Sequence, residues 1–346
     1  MIENKIKQKA KNSGFDLVGI TTAEPIDSAH LKHFKKWLTN GRNGKMAWLS
    51  KNIEKRFTPA LLLPNAQSVI CTALNYKPLT PSGKIASYAL YQDYHDFIKQ
   101  RLFELADFLK NQIFKNLKPV RDKYPNGLNK TDRMRKFLVK DGCQKMPVSN
   151  GLKFKICVDS APLAERAIAE RAGLGFIGKN HLLTNPQLGS FLLLGELITN
   201  LPLEPDNPLP SKDYCKDCSR CIDACPGGAI SKNRFFDARK CISYLTIEHK
   251  GRIPKELKSK INSHLFGCDR CILACPYNKK APACVNKDFK FFAERLNLLP
   301  EQILKFSQDD FNSFFADSPI VRTGLRQIKR NALICSKNAL ESQNKK

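Results

Sequence analysis

The sequence of 346 residues lacks any apolar run long enough to cross a lipid bilayer. Its most hydrophobic stretch, residues 191–197, is far shorter than the roughly 20 residues that a membrane-spanning helix needs. Residues 1–10 are charged and contain neither the apolar core of a signal peptide nor a twin-arginine pair. We therefore expect a soluble, cytoplasmic protein in which disulfides do not form.

The sequence also lacks a His-x-x-x-His pair that could complete a zinc finger beside its cysteines. The cysteine count, thirteen, is odd, which disfavours a disulfide framework. Structural zinc sites use two C-x2-C pairs that close one tetrahedral site. Here three cysteines recur at two-residue gaps and each run ends in Cys-Pro. Zinc and free thiols are therefore only alternatives to the iron–sulfur clusters that this spacing favours.

Two cysteine runs lie within residues 215–276. The first has the C-x2-C-x2-C-x3-C-P spacing of bacterial ferredoxins, in which three thiolates bind one iron–sulfur cluster and the fourth binds another. The second is a shortened copy, and Cys241 between the runs can supply its missing ligand. The pattern predicts two 4Fe-4S clusters and one-electron transfer. The predicted ligands are Cys215, Cys218, Cys221 and Cys275 for one cluster, and Cys225, Cys241, Cys268 and Cys271 for the other.

The remaining cysteines do not belong to either run. They lie in apolar or mixed surroundings, where cysteine behaves as a small hydrophobic residue. We predict that they are buried and bind no metal: Cys71, Cys143, Cys157, Cys284 and Cys335.

Acidic residues are few: 32 Asp and Glu stand against 58 Lys and Arg, a formal net charge of +26. Two oxidised clusters with about −2 each would leave roughly +22. A redox enzyme that acts on small molecules does not need so strong a positive electrostatic field. A polyanion such as a nucleic acid is attracted by such a field. A generally lysine-rich composition with solvated charged faces is the alternative. No RRM, KH, zinc-finger or basic-zipper signature is present.

The order of predicted elements indicates an α+β protein. A mixed α/β domain is expected over residues 1–205, a ferredoxin-like double-cluster domain over 206–285, and a basic helical C-terminal segment over 286–346. Residues 118–152 are predicted to be a basic insertion, and the proline-rich stretch 201–210 a linker. Strands are predicted at 15–20, 68–75, 153–158 and 190–199, and helices at 3–12, 28–40, 94–114 and 162–172.

Several stretches resemble the epoxyqueuosine reductases. They are KRFTPALLLPNAQSVI from Lys55, YQDYH from Tyr91, ICVDSAPLAERAIAERAGLGFIGKN within residues 155–180, CKDCSRCIDACPGGAI and GCDRCILACPYN. The resemblance covers residues 1–335. It implies a cobalamin in the N-terminal domain and two 4Fe-4S clusters in the ferredoxin-like domain. It also implies the last step of queuosine synthesis, in which electrons pass through the clusters to cobalt and the epoxide oxygen of epoxyqueuosine is removed at the wobble position of tRNA.

The resemblance places the family's proton donor, the aspartate of a V-D-S/T motif, at Asp159. This residue follows an apolar strand, where burial would raise the pKa of its carboxyl and favour the protonated form of a donor. The alternative interpretation is that Asp159 only caps the helix predicted at 162–172, since aspartate is common at that position.

The D-x-H-x-x-G motif that places a histidine under cobalt in other cobalamin proteins is absent, because Ile98 stands where the glycine would follow Asp93-Tyr94-His95. We therefore expect a cobalamin without a histidine ligand from the protein. Residues that match the family by position are candidates to line its pocket, with surface charge or a turn as the alternative role. They are Arg56, Tyr94, His95, Asp159, Lys179, Asn180 and Leu183.

The implied tRNA substrate would account for the positive charge of the protein, because the anticodon arm must be bound while one base enters a pocket. The predicted phosphate contacts are Lys130, Arg133, Arg135 and Lys136 in the insertion, and Arg322, Arg326, Lys329 and Arg330 near the C-terminus. Two other functions stay open: a cobalamin-dependent reductive dehalogenase, and a ferredoxin-type electron carrier. We expect a monomer that receives electrons from an unidentified donor and does not bind a membrane.

Overall fold

A four-stranded antiparallel sheet organises the first half of the computed structural model, which describes residues 1–116 and 151–344. The order across the sheet is β1-β2-β6-β3, and a separate pair, β4 and β5, forms a small hairpin. The strands are β1 (Leu17–Thr22), β2 (Ser68–Asn75), β3 (Phe154–Cys157), β4 (Phe176–Ile177), β5 (Leu183–Thr184) and β6 (Leu192–Thr199).

Helices cover both faces of this sheet and form most of the second half. They are α1 (Ile2–Asn12), α2 (Ser28–Thr39), α3 (Ile53–Phe57), α4 (Tyr94–Asn116), α5 (Glu165–Arg171), α6 (Arg220–Asp223), α7 (Ile242–Ile247), α8 (Lys255–Ile261), α9 (Arg270–Leu273), α10 (Pro276–Lys280), α11 (Pro300–Lys305), α12 (Gln308–Phe314) and α13 (Leu325–Gln343). Within the described ranges, none of these helices is both long and apolar enough to cross a membrane.

The two faces of the sheet build two hydrophobic clusters. Every residue of β2 is buried, and its side chains alternate between the clusters as the period of a strand requires. Ile70 and Leu74 pack with α1 and α4 on one face, whereas Val69 and Cys71 pack with α5 on the other. The central position of this strand explains why its sequence is apolar throughout.

The larger cluster continues across both predicted domain boundaries. Leu203, Phe266 and Ile328 belong to the same buried cluster as Ile70 of the sheet. The backbone N–H of Ala86 donates to the Phe266 carbonyl at 2.8 Å. The mixed α/β character is confirmed, whereas the division at residues 205 and 285 stays a prediction.

Most of the predicted elements occur where the sequence placed them, but the helix expected at 162–172 begins only at Glu165. Residues 159–164 form tight turns instead, with Leu163 N–H donating to the Ala161 carbonyl at 2.8 Å. The N-cap residue of α5 is Ala164, so the interpretation of Asp159 as the helix cap is wrong.

The predicted linker 201–210 packs along the sheet domain. Leu203 is buried, and Asp206 accepts a hydrogen bond from the Ile20 backbone at 2.9 Å and forms an ion pair with Lys7. Most of the predicted basic insertion, with Lys130, Arg133, Arg135, Lys136 and Cys143, lies outside the described residues.

Candidate functional site

The first cysteine group surrounds a cavity of about 220 Å³ between α6, the start of α10 and the β4–β5 hairpin. Burial, together with the three neighbouring thiols, raises the pKa of Cys221 to about 11. The backbone N–H of Lys179 points at Cys215 Sγ, 3.4 Å away. The members of this group are the four that spacing predicted for one cluster: Cys215, Cys218, Cys221 and Cys275.

The second group joins cysteines from three separate segments. Burial, together with the neighbouring thiols of Cys241 and Cys225, raises the pKa of Cys268 to about 12. Burial also raises the pKa of Cys271, whose neighbours include Cys241, Cys268 and Cys225. Ala229 N–H donates to Cys225 Sγ at 3.2 Å. The structure therefore brings the eight cysteines together in the two predicted groups.

Both groups suit a cluster chemically. N–H groups directed at sulfur stabilise the thiolates that bind iron–sulfur clusters, and each group has one such donor. Within residues 1–116 and 151–344, no three His, Cys, Asp or Glu side chains converge tightly enough for a single metal ion. Of the remaining cysteines in this part of the chain, Cys71, Cys157 and Cys335 are buried as predicted, and Cys284 is half-buried.

Asp159 lies just beyond β3, where a positive φ of 54° turns the chain outward. Its side chain is 61% exposed, and its Oδ2 lies 3.3 Å from Nε2 of the buried His95. The hydrogen bond with His95 lowers the pKa of Asp159, and this effect outweighs burial. Burial does act to raise the pKa of this carboxyl, but the net shift is downward. The expectation of a raised pKa is therefore wrong, because the histidine was not foreseen as a partner of Asp159.

His95 is held from three sides at the start of α4. Asp93 Oδ1 lies 2.7 Å from His95 Nδ1 and also accepts the His95 backbone N–H at 3.0 Å. Arg322 Nη1 lies 2.8 Å from His95 Nε2, and Arg322 Nη2 donates to Asp93 Oδ2 at 3.2 Å. Both ring nitrogens of His95 are thus engaged by protein groups. The expectation that His95 does not bind cobalt stays a prediction.

Two carboxyl groups beside Asp159 were not identified from the sequence. Glu165 Oε1 accepts the Asp159 backbone N–H at 2.5 Å, and burial, together with the charge of Asp159, raises the pKa of Glu165 to about 8. Glu196 on β6 is fully buried, and neither of its carboxylate oxygens has a hydrogen-bond partner among the described residues. The sequence signal was available, since a glutamate inside the apolar strand LLLGELIT is unusual.

The predicted cofactor-pocket residues fall into two sets. Arg56, Tyr94, His95 and Asp159 form one: the His95 ring stacks on Tyr94 at 4.0 Å, and the Arg56 carbonyl accepts Ala164 N–H at 2.8 Å near the start of α5. Lys179, Asn180 and Leu183 lie in the hairpin region beside the first cysteine group. Lys179 and Asn180 line that cavity, but Leu183 is buried in the core.

Arg166 connects these two sets. Its guanidinium donates to the His181 carbonyl in the hairpin, and its neighbour Glu165 contacts Asp159. Arg56 Nε and His181 Nε2 are buried polar atoms without a partner in the described part of the chain. Unpaired buried polar atoms of this kind fit a polar ligand that carries amide or phosphate groups.

A basic groove of about 770 Å³ lies between α8 and α13 and begins at Thr323, next to Arg322. The Arg330 guanidinium lines it but donates to the carbonyls of Leu245, His249 and Gly251, so it builds the wall of the groove. Six other basic side chains line the groove: Lys250, Arg252, Lys255, Lys258, Arg326 and Lys337. Of the predicted phosphate contacts, Arg326 is thus an exposed groove residue, whereas Lys329 does not line the groove.

Two family models match the sequence. One, described as "4Fe-4S double cluster binding domain", matches residues 214–278, which include both cysteine groups. The other, described as "Epoxyqueuosine reductase QueG, DUF1730", matches residues 56–122, which include Arg56 and His95.

Full-length relatives and solved structures agree with these matches. An epoxyqueuosine reductase from Cyclobacterium marinum is 36% identical over 332 residues, covering 94% of this chain and 94% of the relative. A crystal structure of an epoxyqueuosine reductase with an epoxyqueuosine-modified tRNA-Tyr stem loop is similar with a TM-score of 0.77 and 31% identity, covering 97% of this chain and 81% of that one. The Bacillus subtilis epoxyqueuosine reductase, in a structure whose catalytic aspartate loop is swung out of the active site, is similar with a TM-score of 0.78 and 31% identity, with the same coverage.

Proposed function

The chain belongs to the epoxyqueuosine reductase family, as its motifs predicted, and we propose that it removes the epoxide oxygen of epoxyqueuosine in tRNA with Asp159 as the proton donor. The reaction consumes two electrons and two protons, and it yields an alkene and water. The observation that carries the proposal is the exposed Asp159 carboxyl, hydrogen-bonded to a buried histidine and joined through Arg166 to the hairpin beside the first cysteine group.

The eight grouped cysteines are the proposed ligands of two 4Fe-4S clusters. The first group would hold its cluster beside the β4–β5 hairpin, and Lys179 links this hairpin to the cysteine group by donating from Nζ to the Cys218 carbonyl at 3.2 Å. When bound, the clusters and a cobalamin would supply single electrons and a reducing cobalt centre to the substrate. Arg56, Arg166, Lys179 and Asn180 are the proposed donors to the amide and phosphate groups of that cobalamin.

Asp159 is placed for proton transfer because its carboxyl is exposed while its partner His95 is buried. A substrate oxygen that leaves as hydroxide needs a proton at that moment, and a carboxylic acid can donate it. His95 holds the Asp159 carboxyl in place and is itself fixed by Asp93. In the Bacillus subtilis structure the loop with the catalytic aspartate is swung out of the active site. Asp159 lies in a left-handed turn, and such a turn is compatible with a loop that moves in the same way.

The proposed RNA-binding surface is the basic groove between α8 and α13. Phosphate groups are attracted by clustered lysine and arginine side chains, and binding releases counterions. The groove begins one residue after Arg322, which contacts His95, so an anticodon arm bound in it could present its modified base to Asp159.

The proposed function is tested by turnover. Cluster-reconstituted protein with cobalamin and a chemical reductant is mixed with epoxyqueuosine-containing tRNA, and the nucleosides are analysed for queuosine. The Asp159→Asn variant should lose about 10²- to 10⁴-fold in rate, the usual contribution of a general acid.

The matched control is Asp309→Asn, which removes an exposed carboxylate on α12. It should turn over at the wild-type rate. An Asp159→Asn variant with full iron and sulfide content and wild-type turnover would exclude Asp159 as the donor.

A further inference from the structure

We propose that Arg322 is a positioning residue that holds His95 as the neutral tautomer with hydrogen on Nδ1 and thereby fixes the imidazole ring beside Asp159. This inference rests on the proposed role of Asp159 as a proton donor. It reassigns Arg322, which the sequence suggested as a phosphate contact, to the active site.

The first step of the argument is the contact between Arg322 and His95. Arg322 lies in the short turn Pro319–Thr323 that precedes α13, and its Nη1 is 2.8 Å from His95 Nε2. A guanidinium only donates hydrogen bonds and does not lose its proton in proteins. His95 Nε2 must therefore present a lone pair to Arg322.

The second step concerns the other ring nitrogen. His95 Nδ1 lies 2.7 Å from Asp93 Oδ1, and Arg322 Nη2 donates to the other oxygen of the same carboxyl at 3.2 Å. Burial opposes ionisation of Asp93, but the hydrogen bonds from His95 and the charge of Arg322 outweigh it and lower the pKa of Asp93. An ionised Asp93 accepts a hydrogen from Nδ1, so the ring is neutral and carries its proton there.

The third step concerns Asp159. Asp159 Oδ2 lies 3.3 Å from the same Nε2 that faces Arg322. The single lone pair of Nε2 accepts from Arg322 at the shorter distance of 2.8 Å, so Nε2 has no hydrogen to donate to Asp159. An imidazolium would instead direct an Nε2–H bond at the N–H groups of Arg322, which is a contact between two donors.

Other groups around the pair act in both directions. With all neighbours counted, the hydrogen bond with His95 lowers the pKa of Asp159, and the same contact, despite burial, raises the pKa of His95. The charge of Arg322 opposes the protonation of His95 and also favours the ionised form of Asp159. The groups that face the pair are Asp93, Tyr88, Tyr94, Glu165, Arg166, Glu196, Glu248 and Arg322.

The tautomer is measured by nitrogen NMR on the full chain with its clusters, labelled with ¹⁵N-histidine. The His95 signals are assigned by their loss in His95→Gln. At pH 7 the native protein should show a protonated Nδ1 and an unprotonated Nε2. In Arg322→Ala both nitrogens should be protonated, with the His95 pKa raised by about one to two pH units, because a cation in contact is removed.

Arg326→Ala is the matched control, because Arg326 lies one turn further on and does not contact His95; it should leave the spectrum unchanged. Arg322→Lys restores a charged donor and should return the His95 pKa towards the native value. A doubly protonated His95 in the native protein, or an unchanged His95 pKa in Arg322→Ala, would overturn the proposal.

Kinetics separate this role from phosphate binding. If Arg322 positions His95, the Arg322→Ala variant should have a kcat lowered about 10-fold or more, whereas its KM for tRNA should change little. A raised KM with unchanged kcat would instead identify Arg322 as a phosphate contact and contradict the proposal. The NMR result needs no substrate, so it stands or fails independently of the proposed reaction.

Discussion

Glu196 shows what a single buried carboxyl does to the stability of this protein. The side chain is fully buried without a hydrogen-bond partner in the described ranges, and burial raises its pKa well above the ordinary value of 4.5. The unfolded chain releases this proton above pH 4.5 while the folded chain keeps it, so the free energy of unfolding falls as pH rises. Between that pH and 7 the loss amounts to at most about 3 kcal/mol.

Glu196→Gln should remove this loss, because the amide is neutral at every pH. We expect the variant to match the wild type near pH 4.5 and to be more stable at pH 7, by up to about 3 kcal/mol. Urea denaturation under anaerobic conditions at several pH values measures the difference. Glu54→Gln, at an exposed position on α3, is the control; equal pH dependence in both variants would show that Glu196 is not responsible.

At this scale the sequence singled out Asp159 as the proposed proton donor but did not indicate the residues around it. Asp159 and the cluster cysteines stand in short motifs whose spacing is local, so they could be predicted. Arg322 lies 227 positions from His95, and only the folded chain brings the two together. The pKa of Asp159 was predicted in the wrong direction for the same reason, since it depends on that distant contact.

The packing of α4 on the sheet depends on Gly195 of β6. A Cβ atom at this position would lie 2.5 Å from Ile98 Cγ2 and 3.1 Å from Leu102 Cδ1. Gly195→Ala should therefore push α4 away from the sheet and lower the free energy of unfolding by about 1–3 kcal/mol. Because α4 begins at Tyr94, the displacement should also disturb His95 and reduce turnover.

The control for this prediction is Gly251→Ala, whose nearest neighbours are flexible side-chain ends at 3.3 Å. It should change the unfolding free energy much less. The double variant Gly195→Ala/Ile98→Ala should be destabilised by less than the sum of the two single variants, because removing the Ile98 side chain removes the clash. Chemical denaturation of these variants, including Ile98→Ala alone, gives the comparison, and equal stability of Gly195→Ala and wild type would refute the close-packing argument.

Elements with a strong local pattern were predictable, and those defined by their surroundings were not. The strand at 68–75 and the start of the long helix at Tyr94 agree with the structure because apolar content and periodicity are local properties. The late start of α5 follows from the turns at 159–164, which contact Glu165 and Arg56. The two-residue strands β4 and β5 are too short for any periodicity to indicate them.

The whole molecule is held together by contacts between distant segments. Cys275 joins three cysteines some 54–60 positions earlier in the chain, and the larger hydrophobic cluster spans the sheet, the second cysteine group and α13. Such contacts leave no trace in local composition, so the sequence did not indicate that one buried cluster continues past residues 205 and 285. The charge of the molecule, by contrast, is read directly from composition.

That charge leads to a prediction about RNA binding. Lys255 and Lys258 are exposed in the groove between α8 and α13, so Lys255→Gln/Lys258→Gln should weaken tRNA binding without lowering kcat at saturating tRNA. If each lysine neutralises one phosphate, the slope of log affinity against log salt should decrease by about 1.4–1.8. Lys5→Gln/Lys11→Gln on α1 makes the same change in net charge away from the groove. Filter binding of tRNA over a series of salt concentrations measures these slopes. If the slope of log affinity against log salt is the same for both double variants, only the net charge matters and the groove does not hold the anticodon arm.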